Sequence, residues 1–132
     1  MAVQLSTEAR NAQCDAITTT VGNAGKLRIY TGSVPANVAA ATTGSLLVDH
    51  TLGSPFAPAA SGGLLSPTLP ATVSASASGT AGYWRVFKSD GTSCVLQGTC
   101  GTSGTDMILD STTLVSGVPV VVTAWSHNPG GA

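Results

Sequence analysis

The stretch that decides the fold runs from residue 83 to residue 97 and reads YWRVFKSDGTSCVLQ. Two runs rich in aromatic and β-branched residues flank Asp90-Gly91, and an Asp-Gly pair in that position is typical of a β-hairpin with a two-residue type I′ turn. The cross-strand pairs that this turn predicts are Ser89–Thr92, Phe87–Cys94 and Val86–Val95. Apolar pairs of this kind pack well across two strands, which supports the register.

Residues around the hairpin alternate between apolar and polar side chains, as half-buried strands do. Strands are predicted in this way at 26–31, 46–52, 72–78, 105–110, 112–115 and 118–125. In the first two strands Leu27, Ile29, Leu46, Val48, His50 and Leu52 are expected to face inward, and Lys26, Arg28 and Tyr30 outward. Seven or eight strands after one helix predict a mainly β fold, an antiparallel β-sandwich or jelly roll over 26–125.

The chain before these strands has helical periodicity. Ser6 is a candidate N-cap, Glu8 follows in the first turn and Gly22 ends the pattern, so a helix is predicted over 6–20. Residues 53–70 hold four prolines and predict a long surface excursion. The end, 126–132, is expected to be a flexible tail, and the whole of 1–132 to be a single domain.

The composition excludes several classes of partner. Ala, Gly, Ser and Thr make up about half of the residues, only 8% are charged, and the net charge is −1. Five Lys and Arg residues are too few for the basic stripe that a nucleic-acid interface needs. No run of 18 apolar residues predicts a membrane span, and the first residues carry no visible secretory signal. So little charge suits a protein that lives inside an assembly.

The cysteines are odd in number, so a complete disulfide framework is not expected. Cys94 and Cys100 would close a short loop if a turn brought them together; otherwise all three, with Cys14, are reduced thiols. The spacings that bind zinc do not occur among the Cys and His residues, and no metal or other cofactor is predicted.

Residues suited to catalysis are few and badly placed, so no enzyme is predicted. Asp49 and His50 are neighbours on one strand and point to opposite faces, so His50 is expected in the core or an interface, while His127 falls in the tail. Asp106 and Asp110 would lie about 13 Å apart, too far for a general acid–base pair on one bond, and are expected to be solvated. The glycine-rich run 98–104 lacks the ending of a phosphate-binding loop and predicts a flexible loop.

The aromatic residues are expected to serve the core or an interface. Trp84 and Trp125, on different strands, are predicted to anchor the core or its rim. Tyr30, on the polar face of its strand, is an interface candidate because tyrosine is enriched where subunits meet. The excursion adds three further interface candidates, Pro55, Phe56 and Pro58.

Three segments carry a resemblance to a known family: LSTEARNA at 5–12, KLRIYTGS at 26–33 and GTAGYWRVF at 79–87. With them the chain, over about residues 3–125, resembles small proteins encoded among the virion structural genes of tailed bacteriophages and prophages. Where such proteins have an assigned role, they are similar to head decoration, or cement, proteins of β-sandwich or jelly-roll type.

The resemblance implies a protein made in the host cytoplasm that binds the outer capsid surface and joins neighbouring major capsid subunits. Its partners would be the major capsid protein and further copies of itself, as a homodimer or homotrimer on a local symmetry axis. Two alternatives stay open: a tail or neck component, which would form rings or tubes on its own, and a glycan- or receptor-binding β-sandwich with exposed aromatic pairs.

Overall fold

The computed structural model describes residues 4–52, 56–67 and 72–127. Within these residues the chain forms helix α1 (Thr7–Val21) and nine strands, so the predicted mainly β fold with one N-terminal helix is confirmed. The strands are β1 (Lys26–Thr31), β2 (Leu46–Thr51), β3 (Val73–Ser74), β4 (Gly79–Phe87), β5 (Cys94–Gly101), β6 (Met107–Leu109), β7 (Thr113–Leu114), β8 (Pro119–Val120) and β9 (Val122–Trp125).

The main sheet has the strand order β2-β1-β4-β5-β6-β9, with β7 paired to the start of β4, and β3 and β8 form a separate two-stranded sheet. Neighbouring strands of the main sheet are antiparallel, except that β5 and β6 run parallel over the two residue pairs Cys100–Met107 and Gly101–Ile108. The expected all-antiparallel arrangement is therefore wrong at this junction. The overlap is so short that β6 pairs with only the last two residues of β5.

The inner face of the sheet carries the main core, as the alternation predicts. Leu27 and Ile29 are fully buried there, and Trp84 and Trp125 meet edge to face with ring centroids 5.1 Å apart. Both tryptophans are thus confirmed as core anchors. Leu46 was expected to face the core, but a register shift at the start of β2 leaves Leu46 exposed and buries Leu47 instead.

The central hairpin keeps one predicted pair and changes the others. Phe87 faces Cys94 as expected, but a bulge places Val86 opposite Leu96. The amide of Lys88 bonds the carbonyl of Ser93, so four residues, 89–92, form the loop and the two-residue turn is wrong. The Asp90 carboxylate explains the longer loop, because it accepts the backbone N–H groups of residues 92 and 93 at 2.8 and 3.0 Å.

Helix α1 begins where its cap predicts: Ser6 Oγ accepts the Ala9 amide at 3.1 Å, and Gly22 ends the helix at φ +72°. Three side chains attach the helix to the excursion, and one of them is Cys14, whose Sγ donates to the Gly63 carbonyl at 3.9 Å. Asn11 Oδ1 accepts the N–H of Gly63, and Asp15 Oδ1 accepts that of Ala60, both at 2.8 Å.

The excursion and the chain end are more deeply packed than expected. Phe56 and Leu65 are buried in the core, and Phe56 meets Trp125 edge to face at 5.4 Å. His127 exchanges two backbone hydrogen bonds with Leu65, so the flexible tail predicted from residue 126 does not begin there. Pairing with a residue about 60 positions away cannot be read from local sequence.

Three further expectations are corrected. The predicted strand 72–78 is reduced to Val73–Ser74, and Gly98–Gly101, expected in a flexible loop, belongs to β5. Cys94 and Cys100 are free thiols at the two ends of that strand, about 20 Å apart at ~3.3 Å per residue. A disulfide requires Cα atoms within about 7 Å, so the alternative that these two cysteines pair is wrong.

Candidate interaction surfaces

The outer face of the sheet is organised around Arg85, which is only 2% exposed. Its Nη1 donates to the carbonyl of Ala40 at 2.9 Å and to Thr42 Oγ1 at 3.2 Å, Nη2 to the carbonyl of Asn37 at 3.1 Å, and Nε to Gln97 Oε1 at 3.0 Å. A planar guanidinium supplies several donors in fixed directions, which a loop of backbone carbonyls can match. Arg85 therefore holds the segment between β1 and β2 onto the sheet.

The same segment, 34–45, has further attachments. Gln97 Nε2 donates to the carbonyl of Pro35 at 2.8 Å, and the Tyr83 hydroxyl bonds both backbone groups of Thr43. These contacts cover the face of the sheet that the alternation leaves polar. Alternation alone does not predict this arrangement. The available signal was Arg85 on the same strand face as Tyr83 and Phe87, in a chain with so few charges.

Arg28 stabilises the neighbouring part of this face. Its guanidinium lies over the Phe87 ring at 5.2 Å, its Nε lies 3.4 Å from Asp49 Oδ2, and its Nη1 donates to the carbonyl of Gly91 at 2.9 Å. The pair with Asp49 is half exposed, so its contribution to stability is small. The contacts link β1, β2 and the hairpin loop.

The predicted interface residues are placed as follows. Tyr30 is 6% exposed and stacks on Tyr83 at 5.2 Å between ring centroids, so its expected outward exposure is wrong. Burial raises the pKa of its hydroxyl. Phe56 is buried in the core, Pro58 is exposed, and Pro55 lies outside the described residues. An interface at Pro58 stays a prediction.

Several exposed valines lie in or beside β3 and β8. Among the residues described, seven large apolar side chains are exposed, and four of them are Val73, Val115, Val118 and Val121. Val115 and Val118 are the most open, at 50% and 51%. We call these four residues the valine surface.

The backbone around the valine surface is well ordered by hydrogen bonds. Val115 and Val118 end one tight turn, closed by a bond of 2.9 Å from the Val118 amide to the Val115 carbonyl. The carbonyl of Val118 accepts the amide of Ala75 at 3.0 Å, two residues from Val73. Segments 72–78 and 111–121 contain no Asp, Glu, Lys or Arg. Asp110 is the charged residue next to them: its amide bonds the Val121 carbonyl at 3.3 Å, and its side chain is exposed. Exposed apolar patches with few charges mark interaction sites.

A second candidate is a cleft of about 460 Å³ beside β5, which we call the edge cleft. Its lining consists of Trp84, Leu96, Gln97, Thr105, Asp106, Ser126 and His127. Asp106, which is exposed as predicted, accepts the backbone N–H of Thr99 at 3.0 Å, and the Thr99 carbonyl accepts Trp84 Nε1 at 3.0 Å. Two side chains thus cover the backbone of Thr99 at the edge of the strand.

The edge cleft brings a carboxylate, a serine and a histidine into one lining. Asp106, Ser126 and His127 all line it, but in the described part of the chain no hydrogen bond joins any two of them. A nucleophile, base and orienting carboxylate act only as a connected set. Of the other titratable candidates, His50 is buried in the core and Asp110 is exposed.

The thiols are held in their neutral form. Burial raises the pKa of Cys100 to about 11, and it also raises the pKa of Cys14 and of Cys94. A neutral thiol is a poor nucleophile and a poor metal ligand. Across 4–52, 56–67 and 72–127, no three His, Cys, Asp or Glu side chains lie close enough together to hold a metal ion.

In the described part of the chain no helix is both long enough and apolar enough to cross a bilayer. Comparison of the chain with protein-family models, curated proteins and solved structures found no match in any of the three.

Proposed function

We propose that this chain is a head decoration protein of tailed bacteriophages, which binds the outer surface of an assembled capsid and joins neighbouring major capsid subunits. The resemblance of segments 5–12, 26–33 and 79–87 to virion structural proteins suggests the setting. The observation that carries the proposal is the valine surface. It presents uncharged apolar side chains on a hydrogen-bonded backbone, as a subunit that docks on a large assembly requires.

The valine surface fits a protein that binds in many copies. Burial of apolar area contributes roughly 25 cal/mol per Å², and these half-exposed valines would each add only a fraction of the transfer energy of a whole side chain. A single copy would therefore bind weakly through this surface. Further copies in contact with each other on a local symmetry axis would raise the total affinity through effective concentration.

The test is sedimentation of the purified chain with capsids that lack it, prepared from the phage or prophage whose genome encodes it. The wild type is expected to sediment with the particles, and Val118→Asp to bind at least about tenfold more weakly, because docking would bury an unpaired charge. The matched control is Val38→Asp, the same substitution at a valine that is 40% exposed on segment 34–45.

Circular dichroism of both variants checks that they fold. Failure of the wild type to bind would reject the decoration role, and rings or tubes formed by the isolated chain would favour the tail alternative. If Val118→Asp binds as tightly as Val38→Asp, the protein docks by another surface.

A further inference from the structure

We infer that the edge cleft binds an extended polypeptide segment of a partner, added alongside β5, with a lysine or arginine side chain directed at Asp106. The inference does not rest on the proposed function, since it concerns a different surface and a different kind of contact. Three observations carry it: the part of the β5 edge at Gln97 that no described strand pairs with, the size and shape of the cleft, and its charge.

The first observation is the stretch of β5 edge at Gln97, with which no strand in the described part of the chain pairs; at Thr99 the edge is already occupied by Asp106 and Trp84. The pairing of β6 with β5 covers only Cys100 and Gly101, so it does not reach Gln97. The Thr99 amide points away from β4, because it bonds Asp106. Backbone groups alternate in direction along an antiparallel strand, so the N–H and C=O of Gln97 point to this same side. A strand edge of this kind is a template for pairing with another chain.

The second observation is that the space beside this edge is a cleft rather than a flat surface. A volume of about 460 Å³ lies within the range of ligand sites, about 300–1,000 Å³. Trp84 and Leu96 supply apolar lining, and Ser126 and His127 also line the cleft. Backbone pairing in a lined groove is how domains bind extended peptides by strand addition.

The third observation is the charge of the cleft. Asp106 is its one carboxylate, and the side-chain bonds found for it among the described residues go to the amide and hydroxyl of Thr99. One cation contacts the lining of the cleft: Arg85, whose Nε donates to Gln97 Oε1. Its guanidinium is buried and is bonded to four groups in all. A carboxylate without a cationic partner favours a basic side chain on the occupant.

The probe is a blocked pentapeptide of sequence Thr-Val-Lys-Val-Thr, titrated into the ¹⁵N-labelled full chain at low ionic strength. We expect the amide signals of Leu96, Gln97 and Ser126 to shift and hydrogen exchange of the Gln97 amide to slow. The counterpart Thr-Val-Glu-Val-Thr is expected to bind at least about fivefold more weakly. Equal affinity for the two peptides, or shifts away from the cleft, would overturn the proposal.

The variant Asp106→Asn removes the charge and keeps an amide oxygen that can accept the Thr99 N–H. It is expected to weaken binding of the lysine peptide about fivefold, whereas the matched control Asp110→Asn, at an exposed carboxylate outside the lining, leaves it unchanged. An unaltered affinity in Asp106→Asn would also overturn the proposal. Concentration-dependent shifts of the same amides without peptide would identify a second copy as the occupant and reject a basic partner.

Discussion

Arg85 is the residue whose removal is expected to cost the most stability at the outer face. Arg85→Met leaves the carbonyls of Asn37 and Ala40 without their donor, and we expect the free energy of unfolding to fall by about 3 kcal/mol. Urea unfolding measures the change, and hydrogen exchange should become faster in segment 34–45. Lys88→Met removes an exposed charge three residues away and should change stability by less than about 0.5 kcal/mol. Unchanged exchange in that segment would contradict the assigned role of Arg85.

Asp90 makes the stability of the fold depend on pH in the acid range. Three hydrogen bonds, from the Ser93 and Thr92 amides and the Ser93 hydroxyl, hold the pKa of its carboxyl well below its ordinary value of 3.8. A lowered folded-state pKa stabilises the fold above 3.8, and this contribution is lost as the pH falls towards the folded-state pKa. The stability difference between wild type and Asp90→Asn should therefore shrink below pH 3.8.

Carboxyl NMR titration of Asp90 measures this pKa directly. Ser93→Ala removes the hydroxyl donor and keeps both amide donors, so it should raise the pKa part of the way towards 3.8. A midpoint at or above 3.8 in the wild type would contradict the assigned loop geometry.

At the scale of elements, helix α1 is attached to the excursion by polar contacts more than by apolar area. Its buried side chains are Cys14 and Val21, whereas Asn11 accepts the Gly63 amide. Asn11→Ala should lower the free energy of unfolding by about 1–2 kcal/mol, because the amide loses its partner. Gln13→Ala, on the exposed side of the same helix, should leave stability nearly unchanged. Equal effects of the two substitutions in thermal unfolding would show that the bond to the excursion does not hold the helix.

Local signals predicted the elements that local interactions decide. Ser6 and Gly22 mark the ends of α1 within the helix's own sequence, and the alternation in β1 identifies Leu27 and Ile29 as core residues. The hairpin is a mixed case: the Asp-Gly pair locates the loop, but the side-chain bonds of Asp90 lengthen it.

Contacts distant in sequence decided what the patterns could not. Alternation assigns Tyr30 to the outer face, yet its burial depends on segment 34–45, which Arg85 holds from more than 40 positions away. Contacts between distant segments likewise decide the pairing of His127 with Leu65 and the short overlap of β5 with β6. No period in the sequence encodes which face another segment covers.

At the scale of the whole molecule, the uneven distribution of charge predicts that salt weakens binding at one candidate surface and not at the other. The valine surface lies within two segments that contain no charged residue, with Asp110 next to its end, whereas the edge cleft contains Asp106 in its lining. Raising NaCl from about 0.05 M to about 0.5 M screens exposed charges and leaves apolar contacts intact. Binding of the lysine peptide should therefore weaken several-fold, while sedimentation with capsids is retained. Capsid binding that is lost at high salt would mean that docking uses charged residues, and would exclude the valine surface as its main contact.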